Sequence, residues 1–219
     1  MKHKIATAVY AVALFFLILT FSIGLPIYCR FFYFWQIGAL GIEADSGFSR
    51  DVIVEAYNEL LDYLTLGAPF GTGQLRYSES GYQHFVDCKV LFDLNLWVFI
   101  VSFCAVVCVR VLEQKKIVRM GTVAGLRPEL FVGIAAIVLP LAIGALAAAD
   151  FDRAFVVFHK IFFPGKDNWI FDYREDQIIE ILPEQFFLNC AILIGVSVIV
   201  WAVGCVVYAL MKRRARNLR

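Results

Sequence analysis

Charge is scarce in this sequence. Only 18% of its 219 residues are charged, against roughly a quarter in soluble domains. That scarcity excludes a nucleic-acid binder, a disordered chain and an ordinary cytosolic enzyme. Histidine is scarcer still, with three residues, so imidazole chemistry has few places to occur. The sequence has no G-x-S-x-G turn, Walker loop or H-E-x-x-H segment. Those absences remove the serine-elbow hydrolases, the P-loop NTPases and the commonest zinc peptidases. The six cysteines form no C-x-x-C pair. Four long stretches hold no Asp or Glu at all. That argues against an ion channel or a proton-coupled transporter, which need polar groups at depth.

What fills those stretches is apolar. Residues 5–28, 94–110, 130–149 and 186–211 are about as long as a bilayer crossing requires. The expectation is an all-α membrane protein: one membrane domain over 1–219 with four transmembrane helices. The first run follows Lys2 and Lys4 as a secretory signal would, but it is too long and no small-residue cleavage site follows. Bulky Tyr28 before Cys29 also disfavours a lipoprotein attachment site, so the run is read as an uncleaved helix. Arg110, closing the second run, has the reach to snorkel toward headgroups.

The net charge of +1 hides a division between sides. The N-terminus, the 110–129 connection and the 212–219 tail hold twelve Lys and Arg with two Glu, a net of +10. Segments 30–93 and 150–185 hold eight basic and seventeen acidic residues, a net of −9. The positive-inside rule puts both termini and the short connection in the cytoplasm. The two outer loops, 30–93 and 150–185, then form a small helical extracytoplasmic cap.

Loops of that length in a compact protein are usually functional. In the first, Val52, Ile53, Ala56, Tyr57, Leu60, Leu61 and Leu64 recur at helical spacing, predicting an amphipathic helix near 50–64 with Ser49 as N-cap. Its polar face carries Glu55, Glu59 and Asp62. A second helix begins near Tyr82 and runs into the second apolar segment. In the third apolar run, Gly133, Ala136, Pro140, Gly144 and Ala148 make a small-residue stripe suited to close helix packing. Cys104, Cys108 and Cys205 are read as core residues. Cys29, Cys88 and Cys190 fall near the outer face, where spacing leaves disulfide formation open.

His84 precedes the second apolar run by ten residues, and His159 follows the third by ten. Both would lie near the ester depth of the outer leaflet. Asp87 is three residues beyond His84, on the same helical face, where a carboxylate can set the imidazole tautomer. Around His159, aromatics alternate with Asp167, Trp169, Asp172 and Asp176, more polar groups than an interfacial belt requires. His84, Asp87, Cys88 and His159 could be assembled around a metal, but no spacing demands it. No metal and no cofactor is expected.

At these motifs the sequence resembles the bacterial lipoprotein intramolecular transacylases, a family of four-helix membrane proteins. The resemblance lies in His84-x-x-Asp87-x-Lys89 and in the F-H-x-x-F-F-x-x-x-D-x-W run from Phe158 to Trp169. It extends to the Ile181-Leu-Pro-x-x-Phe-Phe187 entry into the last helix. Phe85 stands where the family more often has Met, and Gly81 where an acidic residue is frequent. The resemblance implies an enzyme of the bacterial cytoplasmic membrane with its active site facing the outer leaflet. It would move the sn-2 acyl chain of a diacylglyceryl-Cys onto that residue's own α-amine, giving the lyso-form lipoprotein. The partners implied are the diacylated lipoprotein and membrane lipid. His84 would shuttle the proton with Asp87 orienting it, and His159 would support the oxyanion or a second transfer. Asp167 would support the site, and Lys89 and Trp169 are further candidate donors. Two other readings remain: a membrane esterase or phospholipase using the same histidines, and a scaffold whose acidic outer loops bind a partner.

Overall fold

The computed structural model describes residues 2–217, without the side chains of 139, 143, 145–148 and 215–217. Nine helices are formed among the described residues: α1 Lys2–Tyr28, α2 Arg30–Ala39, α3 Ile42–Ser46, α4 Arg50–Leu66, α5 Glu79–Gln114, α6 Pro128–Ala149, α7 Phe151–Phe162, α8 Ile178–Ile181 and α9 Glu184–Asn217. The only β pairing among them is the isolated Val123–Leu126 bridge. The protein is all-α. By length and composition α1, α5 and α9 could each cross a membrane. The apolar α6, 22 residues long, spans about 33 Å at 1.5 Å per residue.

Contacts divide the chain into two compact units, one of Met1–Ile23, Asn95–Ala145 and Leu193–Arg219, the other of Gly24–Leu94 and Leu146–Ile192. In the first, Ala11, Ile18, Val132, Ala136, Val198 and Ala202 make the core. Small side chains set its spacing. A Cβ at Gly133 would lie 2.8 Å from the Ala202 carbonyl oxygen, so only glycine permits this approach of α6 to α9. The predicted stripe thus packs at Gly133 and Ala136, while the side chain of Ala148 lies outside the described residues. Arg110 binds Glu113 at 2.8 Å and the buried Glu129 at 3.2 Å, with its guanidinium over the Tyr10 ring. An unpaired buried Glu129 would cost several kcal/mol, and Arg127 lies 3.4 Å from its other oxygen.

In the second unit α4 forms as its periodicity predicts, burying Ile53, Ala56, Tyr57, Leu60, Leu61 and Leu64. Ser49 occupies the N-cap position but its hydroxyl makes no capping bond, while Gly67 ends the helix at φ 73°. Tyr33 of α2 stacks on Tyr57 at 3.8 Å and donates its hydroxyl to the Ile181 carbonyl of α8 at 2.7 Å. Gln36 of α2 accepts from Asn189 of α9. Segments 30–93 and 150–185 are therefore knit into one core. All six cysteines are free thiols.

The first turn of α5 is held by segment 150–185. Asp176, 2% exposed, accepts the Ser78 N–H at 2.8 Å and the Ser78 hydroxyl at 3.0 Å. Ser78 Oγ in turn accepts the Gly81 N–H at 3.0 Å, satisfying an orphan donor of the helix start. The helix consequently begins at Glu79, three residues earlier than its apolar pattern suggests. A Cβ on Gly81 would come within 3.0 Å of the Asp176 carboxyl carbon and 3.1 Å of Phe171, so the absence of a side chain there makes room for Asp176.

Candidate active site

His84 stands one turn and a half into α5, and His159 stands near the end of α7. Helix α7 starts at Asp150, whose carboxylate accepts the Arg153 N–H at 2.9 Å, and carries His159 and Lys160 in its last turn, where the helix dipole favours cations. The two imidazoles, on residues 75 positions apart in sequence, face each other with centroids 5.8 Å apart. Both residues are 6% exposed.

Aromatic rings exclude water from this pair. Phe163 and Phe171 meet the His84 ring edge-on at 4.9 and 5.5 Å. Trp169 stacks on His159 at 4.7 Å and Phe155 lies 4.1 Å from it. Burial makes the protonated ring costly. It drives the His84 pKa down to about 4, the neighbouring His159 adds to the depression, and Asp87 and Asn168 oppose it. Burial lowers the His159 pKa as well, against the Phe155 carbonyl. Both imidazoles are therefore neutral at pH 7.

Neutral imidazoles have a tautomer, and His159 declares its own. Its Nδ1 lies 2.8 Å from the Phe155 carbonyl oxygen. A carbonyl only accepts, so Nδ1 carries the proton and Nε2 keeps its lone pair. His84 Nε2 lies 3.4 Å from the Cys88 sulfur. Burial pushes the Cys88 thiol up to about 12, with Asp87 adding to the shift, so the sulfur is no thiolate nucleophile.

The other candidates are placed as follows. Asp87 makes no hydrogen bond to His84. It accepts from Lys166 Nζ at 2.5 Å and from Asn168 Nδ2 at 3.0 Å. Burial favours its protonated form, but these two donors outweigh that and hold the carboxyl below the usual range. Trp169 contributes its ring face, while its indole N–H is spent on the Lys166 carbonyl at 3.1 Å. Lys89 is not brought to the imidazoles; it donates to the Tyr63 carbonyl at 2.8 Å and lies 3.9 Å from Asp93. Asp167 closes a turn through its backbone carbonyl, which accepts from Ile170 N–H at 3.0 Å. Lys166, Asn168, Phe155 and Phe171 line the site without having been singled out by the sequence, and Phe163 entered only as part of the Phe158–Trp169 motif. All five lie in α7 or the loop after it, four of them within the segment already marked by its mixture of rings and charges and Phe155 just before it. Among the described residues no three His, Cys, Asp or Glu side chains gather in a metal-binding cluster.

An all-helical chain with helices apolar enough to cross a membrane and a buried imidazole pair walled by aromatic rings defines a class: integral membrane proteins with a candidate site built on two histidines. The lipoprotein intramolecular transacylase (Lit) family model matches residues 8–187, and the chain belongs to that family. It is accordingly an acyltransferase. Among solved structures it is similar to the membrane-integral lipoprotein intramolecular transacylase Lit from Bacillus cereus, with 27% identity and a TM-score of 0.86 over 98% of each chain. Two structures of that protein with one histidine changed to arginine or to alanine also match. Both have 26% identity and TM-scores of 0.79 over 98% of this chain, covering 95% and 96% of theirs. Comparison with the curated proteins gives no match.

Proposed function

We propose that this enzyme moves the sn-2 acyl chain of a lipoprotein's diacylglyceryl-Cys to the α-amine of the same Cys, with His84 as the proton shuttle. The chain is read as one membrane domain over 1–219 with four spans: α1, α6 and the apolar lengths of α5 and α9. Both termini are cytoplasmic, and the outer segments form a cap at the outer leaflet of the bacterial cytoplasmic membrane. The observation that carries the mechanism is the pair of buried, neutral imidazoles with centroids 5.8 Å apart.

The chemistry follows from that pair. An α-amine titrates near 7.7–8.0 in water, and the same desolvation that keeps the imidazoles neutral favours the neutral, nucleophilic amine. Its attack on the ester carbonyl puts positive charge on nitrogen and negative charge on oxygen. His84 Nε2 takes a proton from that nitrogen as the C–N bond forms. It returns the proton to the glycerol oxygen as the C–O bond breaks. Atoms balance without a second substrate: an ester and an amine become an amide and an alcohol. Holding both groups in one molecule supplies the proximity, which is worth several kcal/mol of barrier.

His159 serves as a second proton-transfer group. With Nδ1–H committed to Phe155, its Nε2 has no hydrogen to offer an oxyanion until it has accepted one. The aromatic enclosure separates this reaction from ester hydrolysis, because water is the competing nucleophile.

Mass spectrometry of a lipoprotein N-terminus tests the reading. Cells or proteoliposomes containing the enzyme yield the lyso-form, and His84→Ala or His159→Ala in stably inserted protein abolishes it. Undiminished lyso-form from both variants would overturn the proposal. Release of free fatty acid in place of the lyso-form would convert it to an esterase.

A further inference from the structure

Two buried polar atoms in this site lack a hydrogen-bond partner: Nδ1 of His84 and Oδ1 of Asn168. Each needs what the other has. A buried polar group left alone costs about 1–3 kcal/mol, so two orphans in one enclosure call for an explanation. The orientation of the Asn168 amide is not free. A carboxylate can only accept, so the atom 3.0 Å from Asp87 Oδ2 is the amide nitrogen. Oδ1 is thereby the atom left for His84, and Asn168 raises the proton affinity of that ring. Asp87 is itself clamped by Lys166 on its other oxygen.

We infer that Asn168 is a positioning residue that relays the orientation of Asp87 to His84, accepting the Nδ1 hydrogen and leaving Nε2 as the catalytic lone pair. The relay rests on the reading of His84 as the proton shuttle. It explains how Asp87 governs an imidazole it does not touch. An amide held by a carboxylate presents oxygen, never N–H, to Nδ1. The ring is thus held in the tautomer whose basic nitrogen is Nε2. Released from Asp87, the same amide could flip and present N–H, which would favour the wrong tautomer. The ionisable groups acting on His84 are His159 from α7, Asp87 and Cys88 from α5, and Lys166 from the loop after α7. None of the four donates to or accepts from His84 Nδ1.

The test reads the tautomer directly, by nitrogen NMR of His84 in purified full-length protein in detergent, alongside steady-state kinetics. In the unaltered enzyme His84 carries its hydrogen on Nδ1. Asn168→Leu, of similar volume, populates the Nε2–H form and lowers kcat by up to about 100-fold with little change in KM, the scale expected for a misplaced catalytic group. Asp87→Asn leaves Asn168 in place and shifts the tautomer the same way. Because the two act in series, the double variant is no worse than Asn168→Leu alone. Should Asn168→Leu fail to fold, Asp87→Asn carries the same readout. An Nδ1–H tautomer that persists in both folded single variants overturns the relay while leaving the shuttle intact. Full activity in His84→Ala overturns the shuttle instead.

Discussion

The depressed proton affinity of His84 makes folding stability depend on pH in a defined window. His84 titrates at 6.5 when unperturbed and at about 4 in the folded protein, chiefly because of burial. As pH falls, the unfolded state takes up its proton first. The stabilisation is complete above 6.5 and is lost as pH falls from there toward 4. Each tenfold change in proton affinity is worth about 1.4 kcal/mol, so the loss attributable to this ring is roughly 3 kcal/mol by pH 4. His159 is shifted in the same direction, so the comparison must isolate one ring. His84→Gln has a side chain of similar reach that does not titrate. Unfolding in mixed micelles, followed by tryptophan fluorescence at pH 7.5 and pH 4.5, gives each protein a stability difference. The unaltered protein should lose roughly 2–3 kcal/mol more than His84→Gln over that interval. Parallel losses in the two proteins would refute the reasoning, because they would mean that His84 is not desolvated.

Other changes test the frame around the site. Gly81→Ala pushes a methyl group into Asp176 and Phe171, and thermal unfolding should show a loss of about 1–3 kcal/mol. Limited proteolysis should then report loosening of the first turn of α5. Tyr33→Phe removes a fully buried hydroxyl from the Ile181 carbonyl and should cost about 1–2 kcal/mol in the same assay, with the lyso-form still made. Gly133→Val sets a branched side chain against the Ala202 carbonyl. It should destabilise by about 1–3 kcal/mol or more while leaving the His84 tautomer unchanged.

Helix positions were legible in the sequence because burial in lipid or core leaves a long, repetitive trace. The apolar lengths of α1, α5, α6 and α9 and the buried face of α4 are all such traces. The short helices α2, α3 and α8 are not. They are held by contacts distant in sequence, such as Tyr33 with Ile181, which no local pattern records. In the site, scarcity made the imidazoles stand out, since only His84 and His159 of the three histidines fall in segments 30–93 and 150–185. What local spacing could not give was direction. His84 and Asp87 are one helical turn apart, yet Asp87 turns to Lys166 and Asn168 from a loop about 80 residues away. Lys89, two residues further on, follows its own helix face toward Tyr63. Asn168 had no signal of its own between Asp167 and Trp169, and only the fold brings its amide to the Asp87 carboxylate.

Transfer within one molecule can be followed by isotopic labelling of the substrate. A lipoprotein peptide with a heavy acyl chain only at sn-2 is mixed with an unlabelled peptide of different mass, and both are converted by the purified enzyme. The heavy chain is expected on the α-amine of its own peptide alone, and His84→Ala should produce neither product. Heavy chain on the unlabelled peptide, or transfer of the sn-1 chain, would contradict the proposed transfer.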